Sequence, residues 1–242
     1  MTLARDGIKE MTACTVVLGG LAVLTIWGAV RLSPWFWPLA VVLVAAWAFS
    51  LLFFRIPART IPGGTDSLIS PADGRVTEIT LIDQCPEIGR PALRVGIFLS
   101  VFDVHVNRAP CSGTVVSVKH CPGEFLDARH PECGIRNESN TVVLSPGEIR
   151  GPIVIRQVAG LIARRIICHL RAQDSVARGQ LFGMIKFGSR TELIVPQDAG
   201  LEAAVSVGDH VKGGSTILLR PARLSGNVGT APVQRQPVTA NA

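Results

Sequence analysis

Two uncharged apolar stretches joined by one tight turn constrain this chain more than anything else in it. Thr12–Val30 (TACTVVLGGLAVLTIWGAV) and Trp35–Phe54 (WFWPLAVVLVAAWAFSLLFF) contain no Asp, Glu, Lys or Arg. Each is close to the roughly 20 apolar residues that cross a bilayer as a helix. Only Arg31-Leu32-Ser33-Pro34 separates them. Two spans joined so closely form a hairpin, with both outer ends on one side. The composition agrees: 48% of the 242 residues are hydrophobic and only 17% charged, too apolar for an average soluble domain.

Arg5 and Lys9 precede the hairpin and Arg55 and Arg59 follow it, whereas its loop holds only Arg31. Cytoplasmic flanks carry the excess of Lys and Arg, so the chain is expected in the cell (inner) membrane with everything after residue 60 on the cytoplasmic side. A signal peptide is the rival reading of the first stretch, but no small-residue cleavage site clearly follows it. Trp27, Trp35, Trp37 and Trp47 fall partly at the loop end, as an interfacial belt would. The expected organisation is a membrane hairpin at 1–60, a single domain at 61–223 and a disordered, aperiodic tail at 224–242. The formal charge of +6 suits a surface facing anionic headgroups. Nucleic acid ranks low as a partner, because the basic residues are dispersed and few aromatics could stack bases. Six cysteines without C-x-x-C spacing are expected to be reduced on that side. His120, Cys121, His130 and Cys133 match no common zinc spacing, so no metal is expected.

From Ser67 onward, short apolar runs alternate with Gly, Pro and Asp: RVTEITLI, LRVGIFLSV, GTVVSVKH, NTVVLS, GPIVIRQV, MIKF, TELIVP and STILLR. These read as closely spaced strands, so a mainly β (α+β) domain is expected. In GLIARRIICHLRA, the spacing of Leu161, Ile162, Ile166 and Leu170 suits a helix, although RRIICHL reads equally as strand. SPADGRVTEI, APCSGTVVSV and VSVGDHVKGGSTILL each couple a turn to a strand, as biotinyl and lipoyl carrier modules do. This leaves a membrane-anchored, non-enzymatic adaptor as an alternative. A covalent carrier is disfavoured, since neither Met-Lys nor Lys-Met occurs.

Three places could carry chemistry. In SVFDVHVNRAP, a strand would turn Phe102, Val104 and Val106 one way and Asp103, His105 and Asn107 the other. Asp73 lies in an Asp-Gly turn, an ordinary position for it. Gly188-Ser189 interrupts the apolar run GMIKFGSRTELIVP. A glycine there marks a bulge or hairpin corner, or a place of close backbone approach. The chain has no tyrosine, so proton transfer falls to His, Asp, Glu, Lys or Cys. The elbow G-x-S-x-G of many hydrolases is missing around FGSRT. Ser189 could instead attack its own preceding carbonyl, where Gly188 has no Cβ in the way. A serine hydrolase acting on external esters is a further alternative.

Taken in order, SPADGRV, FLSVFDVHVNRAPCSGTV, PGEF, NESNTVV, QVAGLIARRI and GMIKFGSRTELIVP make the chain resemble the phosphatidylserine decarboxylases of the short, membrane-anchored bacterial type, over roughly Ser67 to Arg220. The resemblance implies a precursor that cuts itself between Gly188 and Ser189, leaving a large and a small chain that stay associated. Ser189 would become a pyruvoyl group, the only cofactor, with neither PLP nor metal required. His105, steered by Asp73, would be the base. The amine of phosphatidylserine would form a Schiff base with the pyruvoyl ketone, CO2 would leave, and phosphatidylethanolamine would be released. A homodimer is compatible with this reading. The longer relatives have a second histidine three residues after the first; here Arg108 stands there, a candidate for the lipid phosphate. Many relatives have a basic residue where Ser139 stands, and Arg136 is the substitute candidate.

Overall fold

The computed structural model describes residues 2–130, 132–161, 165–186, 188–222 and 234–236. Two compact units divide between Ala58 and Arg59. In the first, two helices long and apolar enough to cross a membrane run Arg5–Arg31 and Pro34–Phe53, with mean hydropathies of 2.1 and 2.2. Ser33 caps the second by accepting from the Trp35 amide at 3.4 Å, with Pro34 at its first position. Near the turn and along the middle of the helices the buried residues are small, Ala22, Gly28, Ala29 and Ala40, with Met11 and Phe53 buried towards the outer ends, while Val16, Leu24, Trp35 and Val41 lie exposed. Small side chains at such positions let two helices approach closely.

The second unit is mainly β. Its principal strands are β1 (Gly74–Cys85), β2 (Arg90–Leu99), β3 (Val106–Arg108), β4 (Gly113–Cys121), β5 (Ser139–Pro146), β6 (Ile153–Val158), β7 (Ile166–Cys168), β8 (Leu181–Ile185) and β9 (Ser189–Pro196). In the large sheet the order is β4-β5-β6-β9-β2-β1, with Ser175–Val176 beyond β4 and His210–Val211 beyond β1. A smaller sheet has the order β7-β8-β3. A third joins Leu201–Ala203, Ile217–Pro221 and Leu68–Ile69. The core between them is aliphatic, built from residues such as Val95, Ile97, Val142, Ile155, Phe182 and Leu193.

β9 is central, paired antiparallel with β2 on one side and β6 on the other, and all eight of its residues are buried. Gly188 is the corner where the chain leaves β8 of the small sheet and enters β9 of the large one. Its φ of +60° is a conformation glycine adopts at little cost. Beyond its chain neighbours, an added Cβ would meet nothing within 4 Å. The dihedral, rather than crowding, therefore requires glycine. Phe187, expected as strand, lies outside the described residues.

Two local readings are decided by the structure. The run through Phe102 is not strand: Ser100 donates to Asp103 Oδ2 from its amide at 2.8 Å and from its hydroxyl at 2.7 Å, and the Asp103 amide returns to the Ser100 carbonyl at 3.0 Å. These local bonds compete with the ladder and end it, so Phe102 is 72% exposed instead of facing inward with Val104 and Val106. Of the two readings left open for RRIICHL, the strand holds at β7, whose Ile166 and Cys168 pair with Ile185 and Gly183; paired β-branched residues favour extended backbone. Ile162 lies outside the described residues. So does the tail from 224, apart from Gln234–Gln236, which pairs with Thr80–Ile82 at the open edge of β1, where unpaired backbone groups template another strand.

Candidate active site

His105 immediately precedes β3, and β8 delivers the chain to it: the Ile185 amide donates to the His105 carbonyl at 3.1 Å. Three residues later the Gly188 amide donates to His105 Nε2 at 3.2 Å. His105 Nδ1 lies 2.9 Å from the Asp103 carbonyl oxygen. A carbonyl can only accept and an amide N–H can only donate. The proton is therefore on Nδ1, and the Nε2 lone pair accepts from the amide of Gly188, one residue before Ser189. His105 and Ser189 are both wholly buried, and Ser189 Oγ has no hydrogen-bond partner among the described residues. A buried hydroxyl left unpartnered costs stability, and such groups in native folds call for a functional explanation.

The carbonyl side of the linkage is equally close-fitted. A Cβ added at Gly160 would lie 2.2 Å from the Gly188 carbonyl oxygen, so the QVAGL segment passes this bond only because residue 160 is glycine. Asn137 fixes that segment: its Nδ2 donates to the carbonyls of Leu126 and Ala159, both at 2.8 Å.

Asp73 is placed differently. Its carboxylate pairs with Arg59 and accepts from the Gly213 amide at 2.7 Å. Burial pushes its pKa above the ordinary carboxylate value, with Arg59 and the Gly213 amide opposing. The hydrogen bond that orients His105 thus comes from the Asp103 carbonyl, not from Asp73. Arg108 donates to the Gly179 carbonyl at 2.9 Å; a Cβ at Gly214 would meet both Arg108 and Arg59, so the two cations share one corner with Asp73. Burial, and then Arg59, hold the Arg108 pKa below its usual value. Arg136 ends the short helix Cys133–Arg136; it is about half exposed and engaged by Glu124 at 2.9 Å and Glu132 at 3.0 Å. His120, His130, His169 and His210 are all exposed.

Sequence reasoning misses a chain of buried neutral groups beside Ser189. Asn107 Nδ2 donates to Thr191 Oγ1 at 3.1 Å, Gln157 Nε2 to Asn107 Oδ1 at 2.8 Å, and Asn140 Nδ2 to Gln157 Oε1 at 2.9 Å. The available signal is an amide at an inward position of an apolar strand, as Gln157 is in IVIRQV and Asn140 in SNTVVL.

The family model described as phosphatidylserine decarboxylase matches residues 47–219. A phosphatidylserine decarboxylase proenzyme of Rhodopirellula baltica is 45% identical over 221 residues, covering 91% of this chain and 88% of the relative. Proteins of the same name from Ralstonia nicotianae and Desulfotalea psychrophila are 41% and 44% identical, covering 83% and 74% of this chain and 90% and 83% of their own. With a buried serine whose hydroxyl has no partner among the described residues, a left-handed glycine before it whose amide donates to His105 Nε2, and an apolar hairpin ahead of the β domain, this chain belongs to the phosphatidylserine decarboxylase family.

Proposed function

We propose that this protein converts phosphatidylserine to phosphatidylethanolamine and CO2, after cutting its own Gly188-Ser189 bond and turning Ser189 into a pyruvoyl group. The observation that carries this reading is the bond from the Gly188 amide to His105 Nε2 at 3.2 Å, next to a buried Ser189 hydroxyl that has no partner among the described residues.

Ser189 Oγ gives its proton to His105 Nε2 and attacks the Gly188 carbonyl carbon. The C–N bond breaks and the nitrogen takes up a proton, which leaves an ester between Gly188 and the serine oxygen. Loss of the Ser189 Cα proton breaks the Cβ–Oγ bond, so that oxygen departs with the Gly188 carboxylate. The dehydroalanine that remains takes up one water and releases ammonia, leaving the ketone. Residue 189 is wholly buried, which suits a group without side-chain polarity. β9 would stay in place after scission, because its partners β2 and β6 both belong to the large chain.

A ketone conjugated to an amide carbonyl at position 189 supplies an electron sink for the pair released as CO2 departs. The chain's own residues do the rest. His105 Nε2 returns a proton to the substrate carbon. Asp73 is the acid of the set, acting through the Arg59 and Gly213 contacts that fix the floor of this corner. Arg108, and at the surface Arg136, are the cations offered to the lipid phosphate. The hairpin keeps the domain where its substrate is concentrated, on the cytoplasmic face of the inner membrane if Arg5, Lys9, Arg55 and Arg59 set the orientation. The test is release of labelled CO2 from carboxyl-labelled phosphatidylserine by the full chain in vesicles. Release by the wild type and none by Ser189→Ala is expected; release by both would overturn the reading.

A further inference from the structure

The cut strand carries a second buried layer. Ser189, Thr191, Leu193 and Val195 face one way along β9, and Arg190, Glu192 and Ile194 the other. The Arg190 side chain is 9% exposed and reaches three partners. Its Nη2 pairs with Glu78 of β1, its Nε donates to Glu192 Oε1 at 2.9 Å, and its Nη1 to Thr77 Oγ1 at 3.3 Å. Glu78 is held again by Arg94 Nε at 3.1 Å. Glu192 lies 3.7 Å from Arg156, which pairs with Glu87 at 3.0 Å. Two glycines clear the space: a Cβ at Gly96 would lie 2.4 Å from Arg190 Nη2, and one at Gly134 2.8 Å from Glu192 Oε1.

Buried ion pairs are poor stabilisers, since desolvation offsets much of the attraction. A layer built around them, with glycines set aside for it, needs another reason. We propose that Arg190 is a positioning residue that holds residue 189 in register after the Gly188-Ser189 bond is cut. The inference rests on the self-cleavage reading. Before the cut, covalent backbone ties residue 189 on both sides. Afterwards residue 189 is a chain terminus, and termini loosen unless tied down. The guanidinium one residue along grips β1, across the neighbouring β2, and its own strand at once, so the end cannot slip without breaking charge-assisted hydrogen bonds. On the other face, Thr191 accepts from the neutral Asn107, a weaker hold than an ion pair.

The test compares Arg190→Lys in two forms of the full chain, uncut (with Ser189→Ala) and cut. Lysine keeps the charge that Glu78 and Glu192 need, so the variant folds, but it cannot span three partners. In the uncut form the amides of residues 190–192 should exchange hydrogen as slowly as in the wild type. In the cut form they should exchange about 100-fold faster, and kcat should fall about tenfold with KM unchanged. Equal protection in the two forms, equal loss in both, or an unchanged kcat would each overturn the positioning role. A wild type whose mass stays that of a single chain would instead overturn the self-cleavage reading itself.

Discussion

The two faces of β9 are both buried and both polar, yet one is neutral and the other ionic. On the core side, Thr191, Asn107, Gln157 and Asn140 satisfy one another through amide and hydroxyl bonds, and the Ser189 hydroxyl has no partner among the described residues. On the opposite side, Arg190, Glu192, Glu78, Arg94, Arg156 and Glu87 match charge against charge. A guanidinium on the core side would occupy the Ser189 hydroxyl. An amide on the ionic side would grip less firmly. Alternation along a single strand therefore keeps the reacting group unclaimed while anchoring its neighbour, one residue apart.

Substitutions can break this division of labour, and the largest effect belongs to the neutral face. Ser189→Ala should abolish the cut and lower CO2 release by about 10^4-fold or more. His105→Ala should slow the appearance of the small chain on a denaturing gel by about 10^2- to 10^4-fold, the usual worth of a general base. On the ionic face, Arg190→Met should cost about 3 kcal/mol of stability in denaturant titration, by leaving Glu78 to Arg94 alone and Glu192 to the more distant Arg156, while the full-length chain still cuts.

Asp73→Asn sharpens the comparison from outside the strand. It should slow cutting by less than about 10^2-fold, because the Asp103 carbonyl still orients His105; a loss equal to that of His105→Ala would mean that Asp73 orients the ring directly. The smallest effect concerns pH. Burial raises the Glu78 carboxyl, but Arg190 and Arg94 outweigh it and hold its pKa below 4.5. The depressed value means that Glu78 stabilises the fold fully above about pH 4.5 and loses that contribution as pH falls through its folded pKa. Glu78→Gln should flatten this acid-side slope in a stability–pH series.

Much of this molecule is legible in its sequence because the responsible forces are local. Uncharged runs give the hairpin, apolar runs such as LRVGIFL and TELIVP give β2 and β9, and a glycine before a serine inside such a run marks the corner at Gly188. The turn at Ser100–Asp103 is harder to read, since its stop signal is a single aspartate bonding three residues back. The orienting group of His105 is illegible for a different reason. It is a main-chain carbonyl, and no residue type announces one. Arg190 and Glu78 lie more than a hundred residues apart, and only the β9-β2-β1 order brings them together. Gly96 and Gly134 look like ordinary strand and loop glycines until the charged groups above them are placed.

Intact mass of the purified full-length protein tests the central claim most directly. The expected result is two associated chains, residues 1–188 and 189–242, the second lighter than a serine-started chain by the mass of one ammonia and refractory to Edman degradation. A single uncut chain in a preparation that releases CO2 from phosphatidylserine would contradict it.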